Sequence, residues 1–496
     1  MTNKPIVIGL PLINKLAWLS ALILSGCAAG PDFKSPAAPD VTTYTATPLP
    51  AQTASSVGAF GATQRFVAGT AMPSAWWQQF NSPKLDVLIQ QALAANPTLE
   101  ASAAVLRQAE QNYEAQAGSS LYPQANAKLG AQRQAINAAP QGKTGGNNIF
   151  NLYNTTLAVS YNFDLSGANR RALEALAAQT DYQRFQLDGA RLTLAANIAI
   201  TAITQAQLAA QIETSNAIIA AETEQLRITG ERMRIGAASE LEVSALQTQL
   251  EQTRATLPPL RNRWQQTGHL LAILAGQPPG SAGMPQFTLT DFTLPTNLPV
   301  SVPSTLVRQR PDIQAAEALL HAANAKHGEA IAQQYPQISL TANLGSQAIT
   351  TAALFGSSSA VWGLAGQLTQ PLFNLGLRAE ARAAEAGFDA AAANYRQTVL
   401  QALRSVADSL RALDNDAQTL AAQAAAASSS QTSLQLVQQQ YKLGVASYVQ
   451  LLTAQTQEQQ AQTGLVTAQA QRLTDTVALY QAMGVGADST SESSNK

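Results

Sequence analysis

A single cysteine, Cys27, rules out a disulfide framework within this 496-residue chain. Three histidines, His269, His321 and His327, offer no metal pair, because His321 and His327 are spaced so that they do not share a helical face. Charged residues make up only 12%, about half the usual share, and the net charge is −1, which leaves no basic footprint for nucleic acid. Past the N-terminal region there is no run of about 18 or more apolar residues, so no transmembrane helix is expected in the mature chain. No glycine-rich phosphate loop follows a strand pattern, and Gly142 to Gly146 reads as an exposed loop. Asp414 and Asp416, two positions apart on different helix faces, read as solvated surface rather than an acid–base pair. These absences leave no catalytic constellation, no metal site and no cofactor site, and the chain reads as a non-enzyme.

What is present begins with the setting of Cys27. Lys4 and Lys15 supply positive charge, Leu16 to Leu24 an apolar run, and Leu24-Ser25-Gly26-Cys27 a small-residue cleavage site. The segment resembles a bacterial lipoprotein signal, which implies diacylglycerol on the Cys27 thiol and an acyl chain on its freed amine. An accidental cysteine behind an ordinary signal peptide is the alternative. Ala28 follows, not the aspartate that such lipoproteins associate with inner-membrane retention. Residues 1–26 are read as signal peptide and 27–81 as an extended, lipid-anchored segment without a core of its own. Trp76-Trp77-Gln78-Gln79-Phe80 closes it by docking aromatic area on the body.

The body is organised around two long rods, Gly167 to Gly236 and Gly376 to Gly444, both free of proline and dense in Ala, Gln, Leu and Arg. As single helices each is about 100 Å long at roughly 1.5 Å per residue. In the first, Leu187, Leu194 and Leu208 keep one seven-residue register, with Thr201 filling the gap, and Ile212, Ile219, Leu226 and Met233 keep a second. Before that rod, Tyr153, Thr155, Leu157, Val159, Tyr161 and Phe163 alternate with Asn154, Thr156, Ala158, Ser160 and Asn162. Strict period-two alternation fits a strand crossing a bilayer, and equally a half-buried strand in water.

The order helix, Tyr-Pro-Gln, strand, loop, strand, rod, glycine turn, helix occurs twice. Tyr122-Pro123-Gln124 recurs as Tyr335-Pro336-Gln337, Phe163-Asp164-Leu165 as Phe373-Asn374-Leu375, and Ile235-Gly236 as Leu443-Gly444. Ile338, Leu340, Ala342 and Leu344, then Trp362, Leu364 and Leu368, supply the alternation of the second copy. The repeats are placed at 82–276 and 304–486, joined by a proline-rich linker at 277–303 and followed by a serine-rich tail at 487–496. Four strands cannot close a membrane barrel, whose smallest members have about eight, so several copies must share one.

The chain is similar to TolC-like outer-membrane efflux channels of the lipoprotein branch called the NodT family. The marks are Cys27 followed by Gly30-Pro31-Asp32-Phe33, Trp76-Trp77 through Asn96-Pro97, Arg308-Gln309-Arg310-Pro311-Asp312-Ile313, and Tyr441-Lys442-Leu443-Gly444. The resemblance implies an α+β membrane protein with two structural repeats, four transmembrane β-strands and long α-helices per chain. It implies a homotrimer whose twelve-stranded β-barrel in the outer membrane continues into a twelve-helix periplasmic tunnel. A periplasmic adaptor and an inner-membrane efflux pump are the implied partners, and no nucleic acid.

In that frame Leu157, Val159, Tyr161 and Phe163 face lipid. The periplasmic gate falls at the glycine turns, with Glu240 and Glu242 in the first repeat and Tyr441 in the second. Gln450 and Thr453 stand where the family often has aspartates, which puts an aspartate ring in doubt. Glu240 and Glu242 are equally well read as acids favouring the helix N-terminus after Ser239. Arg234, Gly236, Ala237, Lys442, Gly444 and Val445 are the candidate adaptor-docking tips. The rival function is a lipid-anchored periplasmic scaffold without a pore. Substrate, pump and resting state are not written in these residues.

Overall fold

The structure, a computed structural model, describes residues 28–70, 72–136 and 148–484. Cys27, the signal region and the serine-rich tail lie outside the described residues. The chain divides into two compact units. One draws on the segment up to Ser35, on Leu106–Tyr182 and on Ala316–Tyr395, and the other on Pro36–Val105, Gln183–Ala315 and the chain from Arg396 onward.

In chain order the elements are β1 (Arg65–Ala68), a 3-10 turn (Trp76–Phe80), α1 (Pro83–Ala95), α2 (Pro97–Ser120), β2 (Gln124–Ile136), β3 (Asn148–Phe163), α3 (Ala168–Arg234) and α4 (Glu240–Leu274). There follow β4 (Asn297–Val300), α5 (Pro303–Gln309), α6 (Pro311–Ala332), β5 (Gln337–Ala348), β6 (Ala360–Thr369), α7 (Leu375–Lys442) and α8 (Tyr448–Met483). The two rods are thus single helices of 67 and 68 residues. Within the first unit β2, β3, β5 and β6 form one antiparallel sheet in that order, so each repeat contributes a hairpin and β3 pairs with β5 between them.

Where α3 runs through the second unit, its buried face is mostly alanine with interspersed isoleucine. Ala196, Ile198, Ala199, Ala202, Ile203 and Ala206 of α3 are fully buried. This is the part of the chain where close approach, rather than bulk, supplies the packing contact. α3 also carries one stretch with a mean hydropathy of 1.3, apolar enough to cross a membrane by length and composition. It is not an unbroken apolar run, and 61% of it is buried inside the protein, as in a core helix. Trp76 stacks on Tyr480 at 5.5 Å and Phe80 meets the same ring edge-on, so the Trp-Trp-Gln-Gln-Phe segment docks as expected.

Three features differ from the sequence reading. The proline-rich segment 277–303, read from sequence as poor in periodicity, is packed: Phe287 and Leu298 are buried, and β4 pairs in parallel with β1. The Leu187–Leu194–Thr201–Leu208 register is buried, but Met233 of the second register is exposed. Glu222, Gln225 and Thr229 occupy the buried seam there instead, and the Thr253 hydroxyl donates to Glu222 Oε1 at 3.1 Å. Burial pushes the Glu222 carboxyl up.

The third difference is Asp416, which is not solvated surface. It lies half-buried against Asp475, and burial together with that neighbouring carboxylate pushes it up to about 8, against a smaller lowering by Arg472. Arg472 itself is completely buried and donates to Phe60 O (2.9 Å), Ala62 O (2.8 Å), Thr53 Oγ1 (2.9 Å) and Gln64 Oε1 (3.3 Å), pinning the N-terminal segment to α8. A carboxyl raised in the folded state stabilises fully below its unfolded value near 3.9 and loses that contribution as pH climbs toward the folded value. We therefore expect the melting temperature in detergent to fall between pH 4 and pH 8, and Asp416→Asn to flatten the fall and melt higher than the parent at alkaline pH. Parallel melting curves for both proteins across that range would show that Asp416 does not set the pH dependence.

Candidate channel wall and helical turns

In the first unit, strand pairing decides which side chains share a face. Leu157 stands opposite Leu344, and Leu344 opposite Trp362. The next rows on that face join Val159, Ala342 and Leu364, and Phe163, Ile338 and Leu368. Tyr161 lies in the same phase opposite Leu340. All four proposed lipid-facing residues therefore fall on one face, with the second repeat's apolar residues beside them. Leu157, Leu344, Leu364 and Trp362 are exposed, Trp362 to 80%.

The other face carries Asn126, Asn154, Ser160, Thr341, Asn343 and Gln367, and on it two asparagines lie over glycines. A Cβ at Gly130 would stand 2.3 Å from Asn154 Oδ1, and one at Gly363 2.5 Å from Asn343 Oδ1. β2 alternates as well, Ala125, Ala127 and Leu129 against Asn126, Lys128 and Gly130. Sequence reading missed that alternation because alanine carries little apolar signal.

In the second unit the two glycine turns are built alike. Gly236 and Gly444 have φ of 75° and 77°, the left-handed region that favours glycine. Ala237 N bonds Arg232 O (2.7 Å) while Gly236 N bonds Met233 O (2.9 Å); Val445 N bonds Gln440 O (2.9 Å) while Gly444 N bonds Tyr441 O (3.1 Å). This paired bonding closes the last carbonyls of each long helix. Ser239 Oγ and Ser447 Oγ then accept from Glu242 N and Gln450 N, each at 3.3 Å, starting α4 and α8. Residues Ile235, Leu443 and Val445 project from the turns at 71%, 80% and 76% exposure, with Leu241 and Val449 beside them. Arg234 is exposed and paired with Glu231 at 3.0 Å.

Arg232 joins the turns. Its guanidinium lies 4.9 Å from the Tyr441 ring centroid and donates to Tyr441 O at 3.1 Å. Tyr441 is buried, and among the described residues neither its hydroxyl nor that of Tyr448 has a hydrogen-bond partner. Burial, then the charge of Tyr441, then that of Glu242 push the Tyr448 hydroxyl up. Glu240 is exposed. Gln450 is engaged in its own cap, its Oε1 accepting from Ser447 N at 2.7 Å, and the Thr453 hydroxyl donates back to Val449 O at 2.8 Å. Arg232 and Tyr448 were not among the sequence candidates; no local motif marks residues whose partners lie on the other repeat.

Among the described residues there is no cluster of His, Cys, Asp or Glu able to hold a metal ion. His321 instead stacks on Phe33 at 4.3 Å and bonds Glu174 through Nε2 at 2.8 Å.

The sequence model of the family described as "Outer membrane efflux protein" matches residues 88–277 and 302–485. The toluene efflux pump outer membrane protein TtgC of Pseudomonas putida is 30% identical over 478 residues, covering 94% of each chain. The pyoverdine export outer membrane protein OpmQ of the same species is 30% identical over 421 residues, covering 83% of this chain and 88% of its own length. The solved outer-membrane channel OprN superposes with a TM-score of 0.83 at 26% identity, covering 93% of this chain and all of its own. With both repeats matched by one family and the fold of a channel retained along nearly its whole length, the chain belongs to the outer membrane efflux protein family and is an outer-membrane efflux channel extending into the periplasm.

Proposed function

We propose that this chain is one third of a passive exit duct, a homotrimer with a twelve-stranded barrel and a twelve-helix tunnel. Energy comes from an inner-membrane pump coupled through a periplasmic adaptor. The observation that carries the reading is the sheet: one face is apolar and exposed, while β2 and β6 each have an unpaired edge among the described residues. In hydrocarbon an open edge leaves backbone groups that cost several kcal/mol each, and pairing β6 of one copy with β2 of the next removes both edges at once. A periplasmic scaffold without a pore has no use for a lipid-compatible sheet face. The repeats at 82–276 and 304–486 are then the two halves of each chain's share of the wall.

Cys27 carries the lipid anchor in this reading, with two or three acyl chains exceeding the two-signal requirement for stable attachment. Glu242, with Tyr441 and Arg232, forms the core of the gate; Glu240 adds exposed charge. Copied three times, one glutamate becomes a ring that concentrates cations at the mouth. Gln450 and Thr453 contribute caps rather than charge. The turns around Gly236, Ala237, Gly444 and Val445, flanked by Arg234 and Lys442, are the adaptor's docking rim. TtgC and OpmQ are named for cargoes as unlike as toluene and pyoverdine, which fits a duct whose substrate is chosen upstream.

Discrete single-channel conductance in planar bilayers is the direct test, and its absence from correctly assembled protein overturns the duct. Val159→Arg is expected to cost about 2–4 kcal/mol near the midplane and to abolish outer-membrane trimer, whereas Ser160→Arg faces the lumen and is tolerated. Equal loss from both would end the face assignment. For the rim, Gly444→Asp leaves a heat-resistant trimer on gels but abolishes adaptor crosslinking and export, with Gly236→Asp milder; normal crosslinking in Gly444→Asp removes the turns from the docking site. Cys27→Ser is expected to block incorporation of labelled palmitate while trimer still forms, and continued labelling refutes the anchor.

A further inference from the structure

The four strands of the sheet stand in the order β2-β3-β5-β6, so the helices that continue them follow in the order α2, α3, α6, α7. Where these helices meet the strands there is a cavity of about 370 Å³, wholly within the first unit. Gln116 of α2, Asn169 of α3, Glu329 of α6, Gln333 just past its end, Gln337 of β5 and Leu377 of α7 line it. All four helical positions reach the cavity, so it lies in the middle of the chain's arc, away from the free edges of β2 and β6. It also lies on the polar side of that arc. Gln337 stands opposite Thr369 in phase with Ser339, Thr341 and Asn343, not with the apolar row of Ile338 and Leu368.

The polar chemistry inside is one carboxylate among four carboxamides. Glu329 is half-buried, and burial pushes its carboxyl up, against a smaller lowering by Lys326. Among the described residues no hydrogen bond or ion pair engages that carboxylate, nor the side-chain amides of Gln116, Asn169, Gln333 and Gln337. Gln116 and Glu329 hold equivalent places before the Tyr-Pro-Gln of their repeats. Duplication therefore set one position twice into a single cavity and charged only the second copy.

The sign of the ligand follows from what the helix ends already hold. The first turns of α3 and α7 reach the cavity, and a free helix N-terminus favours an anion. Both are closed from within: Asp164 accepts from Asn169 N (3.0 Å) and Arg170 N (2.9 Å), and Asn374 Oδ1 accepts from Gly376 N (2.9 Å). The last turns of α2 and α6 bring the negative pole of the helix dipole. A lone carboxylate is poor provision for a divalent metal, which takes several oxygen ligands in close array. A carboxylate ringed by amide oxygens suits an ammonium group with several N–H donors, and the volume is that of a small-molecule site.

We propose that this cavity is a binding station for organic ammonium ions in the lumen wall, where the helices meet the barrel. Glu329 holds the charge and the four carboxamides accept the N–H donors. This rests on the reading of the Leu157–Val159 face as lipid-facing, which turns the polar face of the sheet toward the lumen. In the proposed trimer three such stations form a ring, the arrangement by which side chains select ions in a pore.

The test uses the full-length trimer in planar bilayers, with 2-phenylethylammonium as probe and 2-phenylethanol as its uncharged counterpart. The amine should lower single-channel conductance and the alcohol should not. Glu329→Gln gives the second repeat the residue the first already has; it is expected to leave a heat-resistant trimer and to weaken the block about tenfold or more. Gln116→Glu is expected to strengthen the block. Equal block in the parent and in Glu329→Gln places the amine elsewhere in the duct and overturns the station, as does a conducting parent that the amine does not block. A Glu329-dependent block by Mg²⁺ stronger than that by the amine assigns the cavity to a metal ion and overturns it too. Gln333→Cys reports the face: a cationic methanethiosulfonate is expected to lower its conductance, more slowly with the amine present, and to leave the unsubstituted protein unaffected. Modification at position 333 without a change in conductance puts the cavity outside the lumen and removes the station. An assembled trimer that does not conduct fails the duct and the station together, whereas a conducting trimer whose block ignores Glu329 fails the station alone.

Discussion

Backbone hydrogen bonding at the two edges of the four-stranded sheet is the constraint on which the rest of this molecule turns. β3 and β5 satisfy each other, β2 and β6 each satisfy one side, and nothing in the chain supplies the remaining edges among the described residues. In water such edges invite aggregation, and in lipid they are intolerable. In the proposed trimer a further copy of the chain supplies both edges. Duplication within the chain follows the same logic, because two hairpins that pair through β3 and β5 widen the sheet without adding an edge.

The helices solve a different problem, how to run for 67 or 68 residues without a globular core to lie on. Around Ala196 to Ala206 of α3 the answer is small side chains that permit close contact. Farther along, around Glu222, Gln225 and Thr229, the buried seam turns polar, and a carboxyl sits where a heptad would place an aliphatic group. Polar seam residues weaken a packing interface while restricting which alignments satisfy it. In α3 the segment approaching the turn is thus less committed by hydrophobic burial than the Ala196–Ala206 stretch.

Much of this was legible in the sequence, for physical reasons that differ from element to element. Rods, glycine turns and duplicated order are local properties, and the structure places Gly236 and Gly444 in the left-handed conformation the turns require. Alternation in β3 fixed its two faces before any pairing was known, and pairing then aligned Leu344 and Trp362 with Leu157. What escaped depends on partners distant in the chain. Asp416 reads as surface until Asp475 is laid against it, and Arg472 reads as one more helical arginine until Thr53 and Gln64 close around it. Residues 277–303 lack periodicity because each buried side chain, such as Phe287 and Leu298, answers a separate contact rather than a repeating one.

The two turns, equivalent in backbone, are not equivalent in charge. In the second repeat Gln450 closes a reciprocal cap with Ser447, and the Thr453 hydroxyl donates a hydrogen bond to Val449 O, so the start of α8 is neutral and self-satisfied. In the first repeat Ser239 caps α4 through Glu242 N alone, leaving the carboxylates of Glu240 and Glu242 free of that task. Both acids also sit at a helix N-terminus, where negative charge is favoured by a few tenths to about 1 kcal/mol. Capping and gating are therefore compatible roles for them, since the dipole that holds the charge in place does not neutralise it. In the proposed trimer the acidic ring would come from the first repeat alone, while Arg232 of that repeat reaches Tyr441 of the second and ties the two turns together.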